Sequence, residues 1–397
     1  MSFPLSDYIV EIVDCLHATA PYTEKGHPLI RTTDIQNGRL LLEQTMRVSD
    51  ETYETWTQRS VPQEGDLVMA REAPVGAVGI VPKNVNVCLG QRTVQIIPER
   101  DKIYPKYLLY ALTHAKTQRL IERYTVGSTV KRINVRDILK LKIPFHLPDL
   151  ETQKEIGDKI YLYDEKIQLN KNLMMQFEEY TQLLFRKWFV DFNFPNKQGE
   201  SYKEHGGEMI EVGGKLIPKG WRSVKFKELF SFEKGVMPNE VFIENYGAKK
   251  AYLTIEFLEE GKGQFTNEQP NLLESRDLDI LMVMDGSRSG KVFTAIDGYV
   301  GSTLAKIVPK EEIYRDVGYM FLKSRERAIS NRTTGSAVPH TSKSYVNSLV
   351  LNLPEDKSKL SAFAEKFSVI REKISLLQKE NVLLSETRDL LIHKLIK

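Results

Sequence analysis

Cysteine is nearly missing from this sequence: Cys15 and Cys88 are the only two in 397 residues. A disulfide-stapled secreted scaffold is excluded, two thiols cannot build a zinc cluster unaided, and both suit a reducing compartment. No apolar run approaches the ~18 residues of a membrane span. The opening stretch, MSFPLSDYIVEIVDC, has neither a basic start nor a small-residue cleavage site, so no signal peptide is expected. An excess of one charge is missing too. Lys and Arg number 56 against 53 Asp and Glu, a net +3, too balanced to announce nucleic acid by charge alone. The seven histidines are scattered and none pairs at metal-ligand spacing.

Catalytic motifs are lacking as well. Gly286-Ser-Arg-Ser-Gly290-Lys291-Val292 is one residue short of a phosphate loop, and Val292 stands where Ser or Thr would hold magnesium. Asn193-Phe194-Pro195-Asn196 has neither the second proline nor the aromatic fourth residue of the amino-methyltransferase tetrapeptide, and no glycine-rich cofactor loop precedes it. Pro148-Asp149 is not followed by the Glu-x-Lys of a nuclease, whose two metal ions need clustered carboxylates. These absences favour a binding protein over an enzyme.

What is present is an ordinary globular composition, 41% hydrophobic and 27% charged, enough for two to four units at ~100–200 residues each. The chain also repeats itself. Gly65–Met69 answers Leu278–Met282, with glycine turns following at Gly76 and Gly290. Gly90–Pro98 answers Gly301–Pro309, Gly127-Ser128 answers Gly335-Ser336, and LKLKIP ending at Pro144 answers LVLNLP ending at Pro354. Four blocks in one order, at offsets of 208 to 214, mark a domain duplication. Val- and Ile-rich runs at Asp66–Met69, Val75–Val81 and Thr93–Ile97, and at Ile280–Met284, Lys291–Ala295 and Leu304–Val308, read as strands. Helices are expected at Pro105–Glu122 and Tyr314–Ile329.

Each half ends differently. Residues 150 to about 190 and 357 to 397 contain no proline and almost no glycine. Alternating steps of four and three pick out Ile156, Ile160, Tyr163, Ile167, Asn170, Met174, Phe177, Thr181, Leu184 and Trp188. In the second copy they pick out Leu360, Phe363, Phe367, Ile370, Ile374, Leu377, Asn381, Leu384, Arg388, Leu391 and Leu395. A seam over more than four heptads predicts two coiled-coil rods of about 60 Å at ~1.5 Å per residue. The shared phase predicts antiparallel packing about a pseudo-twofold axis near residue 172, with Asn170 facing Asn381. Between the halves, Asp191–Gly220 reads as a connector rich in Gly, Lys and Glu.

Several stretches together resemble the specificity (S) subunits of Type I restriction–modification systems. They are Asp14–Pro21 with Ile30–Gly38; Arg71–Gly76 with Cys88–Arg92; Ile143–Gln153 running on to Leu184–Phe192; and Gly206–Met209 with Ile217–Trp221. The second copy departs from the pattern, since Glu355-Asp356-Lys357 replaces Pro-x-x-x-x-Gln after Pro354 and the opening Phe232–Pro238 keeps only its Gly and Pro.

The resemblance implies an α+β fold with two similar α/β target recognition domains, at 1–146 and 221–354. Two long conserved helices, at 147–190 and 355–397, would separate them, with a connector at 191–220. It implies that each domain reads half of a bipartite site on double-stranded DNA, and that two modification (methyltransferase) subunits dock on the chain. Two restriction subunits are an optional addition. The chain would lack chemistry of its own, S-adenosylmethionine, ATP and magnesium would sit on the partners, and the complex would work in a prokaryotic cytoplasm away from any membrane. Candidate DNA contacts are polar residues of the loops: His17, Thr19, Arg71, Lys131 and Arg132 in the first half, and Arg288, Lys291, His340, Thr341 and Lys343 in the second. A stand-alone methyltransferase or nuclease, and a scaffold that never reads DNA, are the competing readings.

Overall fold

The computed structural model describes all residues except 1, 44, 129, 244–248, 262 and 336–337, so Ser336 of the second Gly-Ser loop lies outside the described residues. The chain divides into two compact units, Met1–Lys166 with Glu386–Lys397, and Ile167–Ser385. The division falls inside both long helices, Leu150–Phe185 and Lys357–Leu395, so each unit holds a segment of each. Among the described residues no helix is long and apolar enough to cross a membrane.

In the first unit a six-stranded sheet runs in the order Ile9–Asp14, Thr93–Pro98, Leu67–Ala70, Val78–Ile80, Gly38–Leu40, Ile35–Gln36. The second unit repeats its first four positions with Phe230–Lys234, Leu304–Pro309, Ile280–Val283 and Val292–Thr294. The register repeats as well. Val94 pairs with Asp14 and Met69, and Ala305 pairs with Lys234 and Met282. The apolar runs are unbroken because both faces are covered. Leu67 and Met69 enter the core that holds the helix Pro105–Thr113, while Val68 and Ala70 enter a second core with Ile30 and Ile35. Ile280 with Met282 and Leu281 with Val283 divide in the same way.

Two expectations change. The helix expected over Pro105–Glu122 is two, Pro105–Thr113 and Ala115–Arg123. His114 adopts extended backbone between them, and its Nδ1 accepts the Lys116 N–H at 3.0 Å. The stretch Asp191–Gly220 is more than a connector. It forms a hairpin, Met209–Val212 with Lys215–Pro218, and buries Phe192, Phe194 and Ile217 around Trp221. Isolated aromatics among Gly, Lys and Glu leave no periodic signal, so composition hides them.

The two long helices start alike. Asp149 Oδ1 accepts the Thr152 N–H at 2.9 Å, and Asp356 Oδ1 accepts the Ser358 N–H at 2.8 Å. The copies diverge a turn further on. Gln153 is buried, accepts the Tyr104 N–H at 2.8 Å and donates to the Pro148 carbonyl at 2.8 Å. The residue 207 positions on is Leu360, buried in an apolar core. Gln153→Leu should therefore destabilise the first unit by about 1–3 kcal/mol, since it strands buried backbone groups. A fall in the urea midpoint of that unit's transition checks this, and an unchanged midpoint refutes it.

Candidate nucleic-acid interface

The first unit draws three segments together beyond the end of strand Leu67–Ala70. Arg132 and Val126 exchange backbone hydrogen bonds at 2.9 and 2.8 Å, the Ile133 N–H donates to the Arg71 carbonyl at 3.0 Å, and the Arg71 N–H donates to the Arg92 carbonyl at 2.8 Å. The turn needs Gly127, whose φ is +102°; a Cβ there would run into the Val130 carbonyl. The result is a cleft of about 310 Å³ lined by His17, Arg71, Gln91, Arg92, Arg132 and Asn134 beside Glu72. Of the residues expected from sequence, His17, Arg71 and Arg132 meet here, and Thr19 stands at the edge, accepting from Gln91 Nε2 at 3.4 Å.

Most basic side chains of the cleft already face a carboxylate. Asp14 takes Arg71 at 3.4 Å and His17 at 3.2 Å, and Glu72 takes Arg92 at 3.1 Å. Arg132 is exposed and has no carboxylate partner among the described residues. Lys131 leaves the cleft to pair with Glu122 at 2.7 Å on the open surface. That pairing holds the Glu122 carboxyl below its usual range.

The second unit builds the same frame. Thr334 and His340 exchange backbone hydrogen bonds at 2.9 and 2.7 Å, the Thr341 N–H donates to the Met284 carbonyl at 2.8 Å, and Gly335, φ +92°, makes the turn. His340 Nδ1 lies 2.7 Å from Asp285 Oδ1, and Lys234 Nζ lies 2.8 Å from Asp285 Oδ2. Burial pushes the Asp285 carboxyl upward, but the hydrogen bonds from Lys234 and His340 outweigh it and hold it below the usual carboxylate range.

The other nominated residues go elsewhere. Arg288 and Lys291 both close on Glu259, Lys291 at 2.5 Å. Lys343 is the exposed first residue of the helix Lys343–Ser348, with its Nζ 5.8 Å from the Phe232 ring. Thr341 needs correcting as a contact: it is buried, and its hydroxyl donates to the Val283 carbonyl at 2.6 Å, so it fastens the loop.

Several partners went unnoticed in the sequence: Gln91, Arg92 and Asn134 in the first cleft, and Asp14, Lys234, Asp285 and Glu259 as counterions. Extending the repeat alignment one block toward the N-terminus would have matched Asp14 with Lys234, which sit at equivalent strand positions with opposite charge. Among the described residues no group of three or more His, Cys, Asp or Glu is placed to hold a metal ion.

The long helices bring their expected faces together within each unit. Ile156, Ile160, Ile167, Met174, Phe177, Leu184 and Trp188 are all buried or half-buried, as are Phe367, Ile370, Ile374, Leu377, Leu384, Leu391 and Leu395. In the second unit Asn170 Nδ2 donates to Asn381 Oδ1 at 3.0 Å and to Glu380 at 2.8 Å, Phe185 meets Phe367, and Trp188 meets Phe363. The two segments there run in opposite directions. In the first unit Ile156 and Ile160 share a core with Leu391 and Ile396, and Asp164 pairs with Arg388 at 2.7 Å. A second stripe, outside the expected seam, is exposed. It comprises Leu162, Leu169 and Leu183 on one helix and Val369, Leu376, Leu383 and Leu390 on the other, at heptad spacing and in the same phase.

The description "Type I restriction modification DNA specificity domain" matches the chain twice, over residues 14–179 and 218–384. The MjaVIII Type I restriction enzyme specificity subunit of Methanocaldococcus jannaschii is 28% identical over 42% of this chain, a match spanning only 40% of that relative. The MjaIX specificity subunit of the same organism is 23% identical over 84% of this chain and 77% of its own length. The HindI specificity subunit of Haemophilus influenzae is 20% identical over 92% of this chain and 93% of its own. The fold is shared with the crystallised S subunit of a Type I restriction–modification system from M. genitalium, at a TM-score of 0.59 and 16% identity, covering 100% of this chain and 96% of that one. With its domain present twice over most of the length, the chain belongs to the Type I restriction–modification DNA specificity family.

Proposed function

We propose that this chain gives a Type I restriction–modification complex its address, each recognition domain reading one half of a bipartite, asymmetric site on double-stranded DNA. A specificity subunit is a recognition component and not itself a catalyst. The observation that carries the reading is the duplicated frame: one strand order and one set of loop backbone bonds, presented twice with different side chains. His17, Thr19, Arg71 and Arg132 serve the first half-site. His340 and Lys343 serve the second, together with Arg288 and Lys291 once DNA phosphate displaces Glu259. Lys131 grips phosphate after leaving Glu122.

In this reading the domains are 1–146 and 221–354, and the segments 147–190 and 355–397 form an antiparallel coiled coil with a pseudo-twofold axis. Two modification subunits dock on the chain, and the exposed leucine stripes, equivalent on both helices, are the surfaces that suit them. S-adenosylmethionine is bound by those partners, and ATP and magnesium by two restriction subunits where these join. The complex works in the prokaryotic cytoplasm.

Methylome sequencing tests this. Cells carrying the chain with its modification partner should methylate a two-part motif with an unspecified spacer, and cells carrying the chain alone should methylate nothing. Adding one heptad to each helix lengthens it by ~10 Å. At ~3.4 Å per base-pair step the spacer should grow by about three base pairs with both half-sites kept. Methylation by the chain alone, or a spacer indifferent to the insertion, would count against the proposal.

A further inference from the structure

We infer that Arg132 and His340 are the base readers of the two half-sites, Arg132 selecting a guanine and His340 a base that offers an exocyclic amino group. This rests on the DNA-reading role proposed above and sharpens it to one position in each half. Met69 and Met282 hold the same register against Val94 and Ala305. Three residues beyond each methionine, Glu72 bridges Arg132 and Asp285 bridges His340. Val126 and Thr334 clamp the same two residues from the other side, one residue before Gly127 and Gly335. Arg132 and His340 therefore occupy one position of one frame. The turn glycines are the same in both copies. Here the backbone is held and the exposed side chain is exchanged, the arrangement that a position reading different sequences requires.

The chemistry of each side chain then names its target. Around Arg132 the neighbouring donors are tied to carboxylates, Arg71 and His17 to Asp14 and Arg92 to Glu72. Arg132 keeps its five donors, and a guanidinium fork matches the O6 and N7 acceptors of guanine in the major groove. His340 is set the other way. Its Nδ1 faces Asp285, an ionised carboxylate that can only accept, so Nδ1 carries the proton. In the neutral ring Nε2 is left with a lone pair. It accepts from adenine N6 or cytosine N4, and guanine and thymine present only acceptors at the corresponding edge. Lys234 braces Asp285 from the far side and keeps the carboxylate in place.

The test compares methylomes of the full complex carrying the natural chain, Arg132→Gln or His340→Ala. Competition binding of that complex to DNA with each base substituted along both half-sites accompanies them. Arg132→Gln should lower the preference for guanine at one position of one half-site by roughly ten- to a hundredfold, and glutamine's fit to adenine should shift the choice that way. The other half-site should not change. His340→Ala should relax one adenine or cytosine in the opposite half-site alone. If the natural complex yields no bipartite motif, the DNA-reading role itself fails. An unchanged motif in either variant overturns the inference. So does a uniform loss of affinity across all bases with a flatter salt dependence, which would mark a phosphate contact.

Discussion

Arg371→Met is expected to cost the second unit about 3–5 kcal/mol, the loss seen when one partner of a buried ion pair is removed. Arg371 is fully buried on the second long helix. Its guanidinium meets Asp316 at 2.5 Å, donates to the Leu278 carbonyl at 2.7 Å and lies 4.1 Å from the centre of the Tyr319 ring. Burial pushes this guanidinium down, opposed by Asp316 and Tyr319. Without it Asp316, itself buried, keeps only Arg315, at 3.2 Å, among the described residues. Combining the change with Asp316→Leu should recover most of the loss, because the uncompensated charge then goes too. Denaturant unfolding of both variants reads this directly. A single variant as stable as the parent would show that the pair is not a fastening of this unit.

Trp221→Ala should cost a similar ~3–5 kcal/mol, through a cavity. The indole is buried, stacks on Phe194 with ring centres 5.1 Å apart, and has Phe189 and Phe192 at 5.5 Å. Trp221→Phe keeps most of the ring contact and should lose far less. Thermal unfolding of the two variants should separate them clearly, and equal melting temperatures would argue against an aromatic core at this point.

The elements that repeat were legible because a repeat doubles weak signals: period-two strands, glycine turns and the long seam each occur twice in step. The break at His114 was not legible, since histidine in an amphipathic stretch carries no stop signal and only its Nδ1 bond to Lys116 reveals the turn. The seam spacing includes Arg388 but names no partner for it, and Arg371 lies off the seam; Asp164 and Asp316 are placed opposite them only in the fold. The outward leucines were hidden by the seam itself, which accounts for helix formation without them. At both loops, residue types pointed to the right segments, but the carboxylates that pair with Arg71, Lys131, Arg288 and Lys291 come from segments distant in sequence or from other turns.

The first unit is closed by Glu386–Lys397, which sets a timetable for its synthesis. About 220 residues separate Lys166 from Glu386, and at ~5–20 residues per second a ribosome needs roughly 10 to 45 s to cross them. Through that interval the nascent first unit carries Asp164 without Arg388, and Ile156 and Ile160 without Leu391 and Ile396. Its last apolar face stays open to water and to chaperones until Glu386–Lys397 has been made. A stall between Lys166 and Glu386 would leave that face uncovered even though the strands of the first unit had already been made.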